Sequence, residues 1–216
     1  MSEKNKSSIR IIAECAVLIA VGTVLAQIKL YRMPNGGSVT AASMVPFLMI
    51  GYRHGVRWGL IAGCANAVLQ LLIGGLYPPV APGVFSYTME ILLDYFLAYL
   101  SLALSGAFFY PFRRRIKGLR NEQNSSDDKN KKITRLTYIG LFISSLNCCI
   151  CRFLCAFLSG FLVWDDVVGN GWVAVSYSFG YNLAYLLPES VITVAVTLIL
   201  YKIAPRLFYK SAYYML

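Results

Sequence analysis

Five ionisable side chains stand inside long apolar runs of this 216-residue chain: Glu14, Glu90, Asp94, Arg152 and Glu189. Each costs about 2.5–3.5 kcal/mol to place at the centre of a bilayer on insertion scales, so such groups face a bundle interior, pair with one another, or serve a ligand. Four are acids and one is a base. If all were ionised, negative charge would remain unpaired in the membrane. Either a carboxylate carries a proton or a cation belongs beside it. Counting about 1.5 Å per residue from the outer end of each run puts Asp94, Arg152 and Asn182 at one depth, about 15–17 Å. Tyr87, Glu90, Asp94, Ser101 and Ser105 share one helical face, as do Ser178, Asn182, Tyr185 and Glu189, with Pro188 available to loosen the backbone. Tyr77, Phe85, Tyr87, Tyr95, Trp164, Trp172, Tyr177 and Tyr181 gather in the outer half or at its rim. Carboxylates among Tyr and Trp faces suit a flat, cationic, heteroaromatic ligand: charge pairing for the cation, ring faces for stacking and cation–π contact. The structural alternative is an Arg152–Asp94 ion pair that only locks the bundle.

The elements that position these groups are membrane spans. The chain is 57% hydrophobic and 14% charged, against roughly 25% charged in soluble domains. Six apolar segments are expected, at 11–30, 39–52, 58–76, 84–110, 136–163 and 172–203. All are long enough to cross except the second, which is short and contains Pro46. The first run has the length of a full span and no small-residue cleavage pattern after it, so a signal peptide is not expected. Of 20 Lys and Arg, 17 fall on one side of this topology; Lys29 and Arg32 fall on the other, and Arg152 lies within. That asymmetry predicts both termini in the cytoplasm. It also assigns the net charge of +10 to topology and the lipid surface rather than to nucleic acid. Residues 113–135 are polar and highly charged and are expected to form a flexible cytoplasmic linker between four helices and two, within a single integral membrane domain spanning 1–216.

Ala16 and Ala20 form an AxxxA on the first span, and Gly55, Gly59 and Gly63 form overlapping GxxxG units on the third. Such faces allow close helix approach, within the chain or against a partner. The six cysteines lie in apolar segments and the lone histidine, His54, in an inner loop, a pattern that fits packing rather than a metal site. No GxxxxGK[ST] phosphate loop is present, so any ATP would be used by other chains. Glu90 and Asp94 lack an accompanying nucleophile or metal set, so an enzyme is not expected.

The stretches MPNGGSVTAASMVPFLMIGYRHGVRWGLIAG (33–63), LLDYFLAYLSLALSGAFF (92–109), RFLCAFLSGFLVW (152–164) and GWVAVSYSFGYNLAYLLPE (171–189), with ECAVLIAV in the first span, resemble the thiamine-specific substrate-binding (S) components of energy-coupling factor (ECF) transporters, the ThiT/YuaJ family. The resemblance implies an all-α, six-transmembrane-helix fold of the ECF S-component type in the cell membrane. It implies a protein that binds thiamine from outside and works with a transmembrane coupling protein and two ATPase subunits. Position by position, it implies ligand roles for Asp94, Tyr95, Trp164, Tyr177, Asn182 and Arg152, and a coupling role for Ala16 and Ala20. Glu90 and Tyr77 join the expected binding set from their place beside these residues. There are departures. Ala156 stands where relatives carry a histidine, Gly37 near where some carry a tryptophan, and Glu90 where relatives have a glutamine. A thiamine relative such as hydroxymethylpyrimidine is therefore an alternative ligand, and a stand-alone proton-coupled carrier an alternative mechanism.

Overall fold

The computed structural model describes residues 3–34, 36–76, 83–121, 127–163 and 171–209. Helix α1 (Glu3–Gln27) is followed by an antiparallel hairpin, β1 (Lys29–Arg32) and β2 (Ser38–Thr40), in which Lys29 pairs with Thr40, Tyr31 with Val39 and Arg32 with Ser38. Next come α2 (Val45–His54) and α3 (Val56–Gly74). A long helical rod follows, made of α4 (Val84–Glu90), a π-helical stretch (Ile91–Leu97), α5 (Ala98–Ala103) and α6 (Ser105–Asn121). Helices α7 (Asp127–Val163) and α8 (Trp172–Ile203) and a 3₁₀ turn (Pro205–Phe208) complete the described chain.

Five of these helical stretches are long and apolar enough to cross a membrane: Ser8–Gln27, Val56–Gly74, Val84–Asn121, Asp127–Val163 and Trp172–Ile203. The sixth, α2, has 10 residues and reaches only about 15 Å. Pro46 begins it without cost, because the first-turn N–H has no helical partner anyway. Gly55, at φ 85, ends it and turns the chain into α3. The predicted span 39–52 is thus extended chain at first and helix after, and the first span stops at Gln27 instead of Leu30 because β1 begins at Lys29.

Helix α2 is the centre of the core. Its residues from Val45 to Tyr52 are all buried, and the Tyr52 hydroxyl lies 2.9 and 2.8 Å from those of Ser144 and Ser145 on α7. Phe109 and Phe208 pack against the Tyr52 ring. The glycines of α3 serve packing inside the chain: a Cβ at Gly59 would sit 3.0 Å from that of Ala103, and one at Gly63 would sit 3.1 Å from the Tyr99 carbonyl oxygen. Cys148 and Cys149 are buried in the same core. Pro188 does not break α8, which runs through it.

The expected flexible linker at 113–135 is largely helical instead. Helix α6 continues to Asn121 and α7 begins at Asp127. Arg, Lys and Leu are good helix formers. Phe109, Phe112 and Ile116, at i, i+3 and i+7, form an apolar stripe packed on the core, while Arg114 and Arg115 face outward and Arg113 reaches in to donate to the Tyr52 carbonyl. Gly140 makes room for this contact, since a Cβ there would lie 2.8 Å from the Phe109 ring. Ile133 and Leu136 do the same for the start of α7. The high charge of this stretch thus belongs to a solvated helix face whose opposite, apolar stripe packs on the core; residues 122–126 lie outside the described chain.

Candidate functional site

A cavity of about 320 Å³ opens between the C-terminal ends of α1 and α3, the hairpin, the π-helical stretch, α7 and α8. Its ionisable lining is Glu90, Asp94, Glu189, Arg152 and Lys29, three acids against two bases. Tyr95, Tyr99, Tyr177, Tyr181 and Tyr185 supply ring surface. Asp94 and Tyr95 sit in the π-helical stretch, where the wider turn re-aims side chains relative to an α-helix; such segments recur at functional sites. Glu90, at the end of α4, is 2% exposed. Asp94 Oδ2 accepts a 2.5 Å hydrogen bond from Ser159 on α7. Tyr95 donates from its hydroxyl to the Gly75 carbonyl at 2.8 Å, which holds its ring across the end of α3.

Helix α8 forms the aromatic wall. Tyr177 stacks on Tyr181 with centroids 5.7 Å apart, and Tyr181 meets Tyr185 edge-on at 6.3 Å. Their i, i+4, i+8 spacing puts all three on one face. Asn182 is committed to structure on every side: Nδ2 donates to the carbonyls of Ser178 (2.9 Å) and Ala156 (3.2 Å), and Oδ1 accepts from Tyr185 (2.9 Å). Its amide therefore ties α8 to α7 and orients the Tyr185 ring.

Arg152 is placed over the Tyr99 ring, 5.1 Å from its centroid. Its Nη1 is buried without a hydrogen-bond partner among the described residues, so the cavity keeps a donor for a ligand acceptor. Among the described residues no ion pair joins Arg152 to Asp94. Asp94 lies opposite Ser159, seven residues along α7 from Arg152, or about 10 Å. Asn182 lies between, opposite Ala156. The single depth expected for the three groups is thus a descending series. The apolar runs do not end at one level: Asp94, ten residues inside the start of α4, faces a residue only four from the end of α7.

Of the other aromatic residues expected at the opening, Phe85 and Trp172 are exposed and lie outside the cavity lining. Tyr77 and Trp164 fall outside the described residues. Glu14 is also elsewhere. Arg10 Nε (3.1 Å), Arg53 Nε (2.7 Å) and His54 Nε2 (3.1 Å) converge on its carboxylate, which ties α1 to the end of α2. Ala16 and Ala20, on the same helix, are exposed.

Several lining residues escaped the sequence. Thr40 and Ser43 sit in the extended half of the second segment, where no periodicity marks a face; Thr40 donates to Glu189 Oε1 at 2.7 Å and Ser43 does so at 3.4 Å. Ser159 carried no signal. Tyr99 could have been found from its i+4 spacing to Tyr95, while Tyr185 stands on the α8 stripe with Ser178, Asn182 and Glu189, as its spacing predicts. Of the three departures, Glu90 lines the cavity as a buried carboxylate, and the other two behave differently from each other. Ala156 lines the cavity and offers no ring. At Gly37, φ is 80 and a Cβ would lie 2.8 Å from the Tyr185 ring, so Tyr185 fills the space a side chain there would need.

Residues 12–209 match the family described as Thiamine transporter protein (Thia_YuaJ). The chain is 29% identical over 206 residues to "Thiamine transporter ThiT" of Bacillus subtilis, covering 94% of this chain and 96% of that one. It is 22% identical over 202 residues to the protein of the same name in Lacticaseibacillus paracasei, covering 92% and 90%. A solved structure of ThiT from Listeria monocytogenes superposes with a TM-score of 0.67 at 24% identity, covering 94% of this chain and 99% of that one, which shows a common fold.

Proposed function

The chain belongs to the thiamine transporter protein family, and from that premise we propose that it is the subunit that binds thiamine within the membrane for an ECF-type importer. It is a multi-pass protein of the bacterial cell membrane and not an enzyme. The observation that carries the proposal is the cavity: three carboxylates and five tyrosine rings enclose a space of about 320 Å³, within the range of small-molecule sites. Thiamine has a permanently cationic thiazolium ring and a flat aminopyrimidine. Asp94 and Glu90 match the cation and the exocyclic amine, and the tyrosine faces of α8 with Tyr95 match the two rings. Arg152 Nη1, with no partner among the described residues, matches a pyrimidine nitrogen or the hydroxyethyl oxygen. In this proposal Trp164 and Tyr77 also serve the ligand, and Asn182 holds the Tyr185 ring in place.

In this proposal the 216 residues form one membrane domain with both termini in the cytoplasm and the cavity facing outside. The exposed Ala16–Ala20 face of α1 docks on a transmembrane coupling protein whose two ATPases supply the energy. Titrating the purified protein with thiamine while following tryptophan fluorescence is expected to give saturable quenching at micromolar ligand or below. No response from demonstrably folded protein overturns thiamine as the ligand, and a response to hydroxymethylpyrimidine alone reassigns it. Thiamine accumulation in cells lacking the coupling protein and ATPases would favour a proton-coupled carrier instead.

A further inference from the structure

The segment from Gly36 to Ser43 runs beside α8 as a strap. Tyr181 donates to the Gly36 carbonyl at 2.7 Å, Tyr185 lies against the Gly37 backbone, and Glu189 accepts from Thr40 at 2.7 Å. The three α8 residues follow i, i+4, i+8 spacing and span about 12 Å. Gly36 and Gly37 turn at φ 89 and 80, and strand follows over Ser38–Thr40. Glu189 is the inner of the three anchors and the one that is a carboxylate. Immediately beyond it the chain bends sharply. Ala42 has φ 63, which makes it the positive-φ residue other than glycine in the described chain. Such a backbone persists where its surroundings enforce it. Here Thr40, two residues before Ala42, donates its hydroxyl proton to Glu189 Oε1 at 2.7 Å, and the Ser43 hydroxyl, just after Ala42, lies 3.4 Å from the same oxygen and 2.7 Å from the Thr40 hydroxyl oxygen. All three side chains line the cavity and are at least nine-tenths buried.

We propose that Glu189 is a positioning residue for ligand retention: its carboxylate staples the turn at Thr40–Ser43 and so keeps the strap closed along the cavity. It acts through Thr40 and Ser43, with no contact to the ligand required. Loss of the staple frees the inner end of the strap, and bound thiamine escapes faster while its entry is unaffected. The inference rests on thiamine occupying the cavity.

The test is a dissociation experiment on the full chain in lipid nanodiscs, preloaded with radiolabelled thiamine and chased with unlabelled thiamine. Removing the bond from either end, by Glu189→Ala or Thr40→Val, is expected to raise the dissociation rate about tenfold; in Thr40→Val, which keeps every charge of the cavity, the association rate is expected to stay within about twofold of wild type. Thr40→Ser, which keeps the hydroxyl, is expected to restore slow dissociation. The double variant is expected to release no faster than either single one, because both remove the same interaction. Unchanged dissociation in either single variant, even with a lowered melting temperature, overturns the proposal, as do additive effects in the pair. If Glu189→Ala does not fold, the contrast between Thr40→Val and Thr40→Ser carries the same expectation. A wild-type protein that retains no thiamine overturns the parent assignment, and this inference with it. One that retains thiamine while the variants release it at the wild-type rate overturns this inference alone.

Discussion

Replacing Asp94 with Asn isolates the charge in the site. Asp94 Oδ2 accepts from Ser159 at 2.5 Å, and an asparagine oxygen can accept the same bond, so packing and the α7 contact survive the change. What disappears is a negative charge at the wall of a cavity that also holds Glu90 and Glu189. Removing the buried partner of a ligand cation typically costs about 2–5 kcal/mol. Two carboxylates remain, which places the expected loss in the lower part of that range: about 2–3.5 kcal/mol, or roughly 30- to 300-fold in Kd. Isothermal titration of wild type and variant with thiamine, with melting temperatures alongside, measures it. Hydroxymethylpyrimidine, which lacks the thiazolium, is the internal control and should lose much less. An affinity for thiamine within twofold of wild type at equal melting temperature would refute the assignment of Asp94 to the cation. An equal loss for the neutral pyrimidine would refute the electrostatic account while keeping Asp94 in the site.

Ala16→Leu with Ala20→Leu alters only exposed positions, so thiamine affinity of the purified protein should stay within about twofold while cellular uptake is lost; surviving uptake removes this face from coupling. Gly37→Ala introduces both a positive-φ penalty and a Cβ 2.8 Å from the Tyr185 ring. A loss of about 1–3 kcal/mol in stability is expected, with weaker binding as Tyr185 is displaced; an unchanged melting temperature would contradict the contact. Gly59→Val overpacks the α3–α5 contact, where even a Cβ would lie 3.0 Å from that of Ala103. It should cost about 1–3 kcal/mol in stability and leave the Kd of correctly folded protein unchanged, which thermal melts and titrations separate.

The five long helices were legible because apolar length is a direct consequence of crossing a bilayer. Asp94, Glu90, Arg152 and Asn182 were legible as a group because polar side chains in such runs have few places to go. Their relative heights were not, since the ends of apolar runs do not mark one plane. Asp94 meets Ser159 through an offset between α4 and α7 that only the packed structure sets. The hairpin was hidden for a related reason. Residues 29–40 are only one-third hydrophobic and carry Lys29 and Arg32, and their pairing depends on Gly36 and Gly37 adopting φ of 89 and 80 beside α8, a tertiary circumstance. Thr40 and Ser43 then enter the cavity from extended chain, where neither helical nor strand periodicity assigns a face.

The five intramembrane charges, alike on the sequence, separate into two systems once their neighbours are known. Glu14 meets Arg10, Arg53 and His54 within 3.1 Å, a set in which its charge is matched, and it stands apart from the lining of the binding cavity. Glu90, Asp94 and Glu189 share a cavity with Arg152, and the hydrogen bonds to Asp94 and Glu189 come from neutral hydroxyls of Ser159, Thr40 and Ser43. Hydroxyl donors hold a carboxylate in place without cancelling its charge, so the cavity keeps an excess of acid over base that the Glu14 site does not. The two small-residue motifs divide in the same way: Gly59 and Gly63 are spent on the Ala103 and Tyr99 backbone of α5, while Ala16 and Ala20 remain exposed. In both cases the residue type marks a capacity, for charge or for close approach. Whether the chain itself uses that capacity, or leaves it for a ligand or a partner, depends on what the fold brings opposite.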